Sequence, residues 1–220
     1  MLHITARTPT AKLKIRRAMS RLFQAYCYTY LPPKEHEGYK HPFGKRFKRT
    51  NFRIRYFDDR FEIDFTALDE AYEQTLALAL LKEGLKLGEV RFAETTVSLH
   101  QREIPEGALK VKGFVCAAIK NPLTKRKIFL EPGEARHTEI VANHTLQKYE
   151  TLFGKPYEGT LRITPLWQSP KPQTFWYDKT PYVAWEAKYE IEADASMKRL
   201  LLTTGMGSDT MKNLGFLEVV

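Results

Sequence analysis

Leu2, Ile4 and Ala6 alternate with His3 and Thr5 at the start of the chain, the period of two expected of a strand with one buried face. Pro9-Thr10 introduces a stretch of helical period from about Ala11 to Tyr30, which Pro32-Pro33 ends. Leu13, Ile15, Met19, Leu22, Phe23 and Tyr26 supply its apolar side, while Lys12, Lys14, Arg16, Arg17 and Arg21 crowd the outer one. A loop rich in charge, Gly and Pro runs from Lys34 to Arg49. Two strand-like runs, Asn51–Phe57 and Arg60–Phe65, then join at Asp58-Asp59 as in a hairpin. A second helix fits Ala67 to Glu83, apolar at Leu68, Ala71, Leu76, Leu78, Ala79 and Leu81, until Gly84–Gly88 breaks it. Glu89–Leu99 reads as a fourth strand.

The second half repeats that order without repeating the sequence. Leu109–Ile119 is a strand, Gly133–Phe153 a helix, and Thr160–Pro165 and Tyr182–Glu192 are the middle strands. A short helix near Ala193–Thr203 and a last strand at Phe216–Val220 complete the set. Two β-α-β-β-α-β units predict an α+β protein of tandem ferredoxin-like (RRM-like) domains. Pro105-Glu106-Gly107 is the candidate boundary, giving domains 1–106 and 107–220, and 220 residues suit two domains of about 110 each.

Composition agrees with a folded chain: 43% of residues are hydrophobic and 28% charged, which excludes a largely disordered protein. No apolar run approaches the ~20 residues that span a bilayer, and the N-terminus lacks the apolar stretch of a signal peptide, so a cytoplasmic location without membrane contact is expected. Cys27 and Cys116 are too few for a disulfide framework and have no neighbours at metal-ligand spacing; no metal and no cofactor are expected. The net charge of +9 is concentrated. Residues 1–60 hold 15 basic and 4 acidic side chains, an excess of 15 − 4 = +11, and the remainder sums to −2. A local positive field of this kind attracts polyphosphate, which favours nucleic acid as the partner.

The C-terminal segment from Leu201 to Phe216 combines a helix end, Gly205-Met206-Gly207, a polar loop and a Gly215-Phe216 strand entry. Glycines permit positive φ and close backbone approach, so exposed N–H groups there could cradle a phosphate. The whole segment resembles the glycine-rich motif that ends proteins of the CRISPR-associated Cas-six family, the repeat-associated RAMP-type endoribonucleases that process pre-crRNA. Gly205, Gly207, Gly215 and Phe216 match, Lys212 adds a cation, and Leu217 stands where the family usually has a third glycine. Ile128-Phe129-Leu130-Glu131-Pro132, a helix ending in Leu146-Gln147-Lys148-Tyr149, and Gly154 extend the likeness over most of residues 109–220.

In the first half the resemblance is confined to His36-Glu37-Gly38-Tyr39-Lys40-His41-Pro42-Phe43-Gly44-Lys45-Arg46-Phe47-Lys48, similar to the loop after the first helix in many members. It implies that His36 takes the place of the catalytic histidine, with His41 the runner-up. The implied reaction is metal-independent: the neighbouring 2′-hydroxyl attacks the phosphodiester within a CRISPR repeat, leaving a 2′,3′-cyclic phosphate and a 5′-hydroxyl. An imidazole of unperturbed pKa ~6.5 moves protons near neutrality, and cations such as Lys45, Lys48 or Arg46 stabilise charge on the phosphorus-bound oxygens. Tyr39, Tyr28 and Tyr30 are candidate positioning groups. His3, His100, His137 and His144 are assigned no function; the last two are seven apart, not the four of a helical zinc pair.

CRISPR repeat RNA is therefore the expected partner, with other CRISPR effector subunits as further ones and the chain a monomer or homodimer. Its path is expected along Lys12, Lys14, Arg16, Arg17 and Arg21 and the Lys34–Lys48 loop, with Lys148, Lys212 and the glycine segment on its backbone. Two rivals are a non-catalytic repeat-RNA-holding subunit of a CRISPR complex and an unrelated RRM-like module. The latter lacks support in the absence of an aromatic RNP-type strand signature.

Overall fold

The computed structural model describes residues 1–9 and 13–220, so Lys12 lies outside the described residues. The first half runs β1 (Leu2–Arg7), α1 (Met19–Tyr30), α2 (Pro33–Glu37), β2 (Tyr39–Lys40), β3 (Arg46–Phe47), β4 (Thr50–Tyr56), β5 (Arg60–Ala67), α3 (Glu70–Glu83), β6 (Leu85–Leu87), β7 (Val90–Phe92) and β8 (Thr95–Leu99). Its sheet has the order β4-β5-β1-β8, all antiparallel. Ile54, Ile63, Ile4 and Val97 stand opposite one another across the four strands, so one register places a continuous apolar rank on one face. Met19, Phe23 and Cys27 of α1 and Leu76, Ala77 and Leu80 of α3 cover that face. Full burial of each such side chain contributes about 1.5–3 kcal/mol.

The second half continues β9 (Leu109–Phe114), β10 (Ala118–Lys120), β11 (Lys127–Phe129), α4 (Ala135–Phe153), β12 (Arg162–Gln168), β13 (Gln173–Tyr177), β14 (Thr180–Ala184), β15 (Glu186–Glu192), α5 (Ala195–Thr204) and β16 (Glu218–Val219). Its sheet order is β12-β15-β9-β16. In each sheet the principal strands therefore lie in the order second, third, first, fourth, the ferredoxin-like arrangement that the repeated pattern predicts. Val111, Tyr189, Ile191 and Ile163 face Val141, Tyr149 and Leu152 of α4 and Met197, Leu200 and Leu201 of α5. The α5 start is capped by Asp194, whose carboxylate accepts the Met197 N–H at 2.8 Å.

Several boundaries differ from the sequence reading. The first helix begins at Met19, not Ala11: Arg16 and Ala18 donate to the carbonyls of Leu13 and Ile15 in a tighter turn, which removes Lys14, Arg16 and Arg17 from the helix proper. α1 stops at Tyr30, just before Pro32, and Pro33 opens α2, because a proline is tolerated in a first turn that needs no N–H partner. In α3 the buried stripe is Leu76, Ala77, Ala79 and Leu80, while Leu78 and Leu81 are exposed. Glu89–Leu99 divides into β7 and β8, and Leu109–Ile119 into β9 and β10; each run leaves its sheet to pair in a short hairpin. Among the described residues no helix is long and apolar enough to cross a membrane.

Candidate nucleic-acid interface and catalytic cluster

Three side chains from separate elements converge beside α2. The His36 imidazole, exposed on that single helical turn, lies against the ring of Tyr28 from α1, with centroids 4.8 Å apart. Lys48, just after β3, places its ammonium 4.9 Å from the centre of the same Tyr28 ring. That ammonium also donates to the main-chain carbonyls of Glu35 at 2.6 Å and His36 at 2.5 Å, carbonyls left open at the end of so short a helix. Gly38, at φ +78°, makes the approach possible: a Cβ there would sit 3.0 Å from the Phe47 carbonyl and 3.2 Å from Lys48 Cε.

Electrostatics separates the roles of the three. Burial pushes the Tyr28 hydroxyl well above its ordinary range, so it stays protonated; the oxygen is buried on the Gln24 side of the ring. Burial also pulls the Lys48 ammonium below its ordinary value, while the charge of Glu35 opposes that fall. The cluster thus offers an imidazole and a cation on one exposed rim, both set against the ring of Tyr28, whose hydroxyl is buried.

The other candidates in the loop go elsewhere. The imidazole of His41 is 2% exposed; its Nδ1 accepts the Phe43 N–H at 3.2 Å, so Nε2 carries the proton and faces Glu150 of α4 at 3.3 Å. Lys45 donates to Gln147 of α4 at 2.8 Å. Tyr39 turns inward and donates to the buried Glu35 carboxylate at 2.9 Å, under the Arg49 guanidinium. Phe47 enters the core of the second half. The β2–β3 hairpin is consequently anchored on α4, and His41, Tyr39 and Lys45 serve that anchorage instead of lining the His36 rim.

The basic stretch before and along α1 is exposed at Lys14, Arg16, Arg17 and Arg21. Arg16 lies over the Tyr56 ring at 4.6 Å and Arg17 over Trp176 at 4.7 Å. Arg21 faces Asp178 at 3.7 Å, and the Asp178 N–H donates to the Arg17 carbonyl. The tip of the β13–β14 hairpin therefore touches the same cations that the sequence offers to phosphate. No local signal in Trp176-Tyr177-Asp178 announced that contact.

The glycine segment has a different geometry from an open phosphate cradle. Its N–H groups point inward: Gly205 to Leu201, Met206 to Gly215, Ser208 to Cys116 and Gly215 to Phe114 carbonyls, at 2.8–2.9 Å. A Cβ would meet Asn51 Nδ2 at 2.2 Å from Gly205, the Cys116 carbonyl at 2.6 Å from Gly207, and the Met206 carbonyl at 2.3 Å from Gly215. The loop's apolar residues then diverge. Met206 joins the core of the second half, Met211 that of the first, and Leu214 a small cluster with Phe175 and Tyr182. Phe216 is buried beneath the Arg53 guanidinium. Lys212 is tied to Asp209 and to the Tyr182 hydroxyl, both at 2.6 Å. Lys148 is 2% exposed and donates to the carbonyls of Thr204 at 3.2 Å and Gly205 at 2.7 Å, closing the end of α5. The segment clamps the two halves together, and no phosphate reaches Lys148 in this arrangement.

Residues 99–219, more than half of the chain, match the family described as CRISPR associated protein Cas6, C-terminal. The chain belongs to the Cas6 family. Among solved structures it is similar to a Cas6-related protein from Pyrococcus furiosus, with 13% identity and a TM-score of 0.75 over 100% of this chain and 98% of that one. It is similar to a RAMP protein described as binding different RNA substrates, with 12% identity, a TM-score of 0.72 and 100% of both chains covered. A Cas6 product complex aligns with 15% identity and a TM-score of 0.64 over 100% of this chain and 98% of the other. At such identities the likeness is one of fold, and that likeness of fold runs through the N-terminal half as well. No protein of curated function matches the sequence.

Proposed function

We propose that this chain binds CRISPR repeat RNA and cleaves it within the repeat by attack of a 2′-hydroxyl on the adjacent phosphodiester. The convergence of His36, Tyr28 and Lys48 on one exposed rim carries the reading. His36, exposed on α2, is the base that takes the 2′-hydroxyl proton. Lys48 faces the non-bridging oxygens as charge builds there. The 2′-O–P bond forms, the P–O5′ bond breaks, and the departing oxygen takes a proton from solvent. The products are a 2′,3′-cyclic phosphate and a 5′-hydroxyl, with no metal in any step.

Residues 1–106 supply this cluster and the basic surface of Lys14, Arg16, Arg17 and Arg21, where the RNA backbone runs. Residues 107–220 supply the α4 anchorage and the glycine clamp that hold the rim in shape.

The test incubates the purified chain with repeat RNA in excess chelator. Cutting at one phosphodiester, lost in His36→Ala, retained in His41→Ala and abolished by a 2′-deoxy substitution at the cut, is the expected result. Tight binding without cleavage under any condition would assign the chain to a non-catalytic RNA-holding role instead.

A further inference from the structure

A buried carboxylate beside the proposed centre has no part in the chemistry just described. Glu35 precedes His36 on α2 and is 0% exposed. An isolated ionised carboxylate in such a place costs several kcal/mol, so its surroundings must compensate it. One oxygen accepts the Tyr39 hydroxyl at 2.9 Å, and the other faces the Arg49 N–H at 3.4 Å. Tyr72 of α3 also turns its hydroxyl to this carboxylate, and burial together with the Glu35 charge raises it. Partners from three directions therefore fix α2, the turn that carries His36 and whose carbonyls receive Lys48.

We propose that Glu35 is a positioning residue for RNA cleavage, holding α2 so that its carbonyls seat the Lys48 ammonium beside His36. This role presupposes the cleavage assigned above to His36 and Lys48. The groups facing the Lys48 ammonium are Glu35 and Glu37 of α2, Arg46 of β3, Tyr28 of α1 and the carbonyls of Glu35 and His36. Arg46 and burial favour loss of the proton, and Glu35 favours its retention. Arg46 is itself drawn to the Glu37 carbonyl at 3.0 Å. Of the two acidic neighbours Glu35 exerts the larger effect and alone is buried, where its field is least screened.

The test compares the full chain with Glu35→Gln, both carrying 13C at the lysine ε-carbons, with the Lys48 signal assigned through Lys48→Arg. Lys48 is expected to titrate lower in Glu35→Gln. On repeat RNA in excess chelator, kcat is expected to fall roughly tenfold, with the Kd for RNA within about twofold and the alkaline limb of the pH–rate profile moved down by the same interval. A purely structural carboxylate would not move that limb.

Coincident Lys48 titrations in the two folded chains overturn the role. If neither chain cuts RNA but the titration moves, the coupling stands and the cleavage assignment fails. If both cut alike at every pH, the cleavage stands and the positioning role fails. Should Glu35→Gln prove unfolded by circular dichroism, Tyr39→Phe loosens the carboxylate without removing its charge. A several-fold loss of kcat at unchanged Kd is then expected, and unaltered kcat overturns the proposal.

Discussion

The ring of Phe47 meets the imidazole of His144 edge-on, with centroids 4.9 Å apart and planes inclined at 66°. Phe47 belongs to the chain segment of the first half and to the core of the second. Its neighbour is Lys48, so a packing contact with α4 sets where the cation proposed to face the phosphate begins. Truncation to Phe47→Ala should lower stability by about 3–5 kcal/mol, read by urea unfolding. Cleavage should fall further than RNA affinity, because the basic surface around α1 stays in place.

Gly38 controls the same cation from the other side. Gly38→Ala asks an L-residue to hold φ +78° and places a methyl group 3.2 Å from Lys48 Cε. The strain is of the order of 1–3 kcal/mol. Single-turnover cleavage should drop about tenfold or more with RNA binding nearly unchanged, as expected when an interaction made only in the transition state is lost.

The inward geometry of the glycine segment makes its own forecast. Gly215→Ala would bring a Cβ to 2.3 Å from the Met206 carbonyl at φ +70°. Thermal unfolding should shift down by an amount corresponding to at least ~2 kcal/mol. Were the segment an open phosphate cradle, the same substitution would weaken RNA binding while leaving the melting temperature in place.

Lys148 predicts a pH dependence of stability. Burial pushes its ammonium down to about 7 in the folded chain from an ordinary value of 10.5. Between those values the unfolded chain holds a proton that the folded chain has released, so this group makes stability rise with pH across that window. The slope reaches at most about 1.4 kcal/mol per pH unit. Denaturant midpoints at pH 7 and 9 should therefore diverge in the wild type and converge in Lys148→Met.

The exposed arginines should behave as phosphate contacts. Arg16→Ala, Arg17→Ala and Arg21→Ala should each reduce the slope of log K against log salt by about 1, measured by filter binding on repeat RNA, with similar losses for unrelated RNA. Arg21→Ala should show the smallest loss, since Asp178 already faces that side chain at 3.7 Å.

Much of the fold was readable because its signals are local. The period-two runs of β1, β4 and β5 and the helical period of α4 and α5 survive within a residue or two. The errors fall where a neighbour outside the segment decides. Leu78 and Leu81 satisfy a helical period as well as Ala77 and Leu80 do, yet the sheet covers only the latter pair. Glu89–Leu99 is long enough for one strand, but β7 pairs back on β6 before β8 reaches β1. At the site, the sequence offered His36 with Lys48 among its candidate cations. It also grouped Tyr39, Lys45 and His41 with them, because positions close in a loop cannot be sorted into rim and anchorage without the surface against which the loop packs.

By itself the sequence determined that two β-α-β-β-α-β units follow one another, that positive charge gathers in the first 60 residues, and that the C-terminal motif belongs with the Cas6 family. Those are properties of spacing and composition, which a linear chain carries in full. Only the tertiary structure decided that the glycines before Phe216 lock the two halves together, that Lys148 is buried, and that Tyr28 faces His36. Each of these depends on contacts between residues far apart in the chain. Burial there changes what a side chain can do: it turns a lysine from a phosphate ligand into a helix cap.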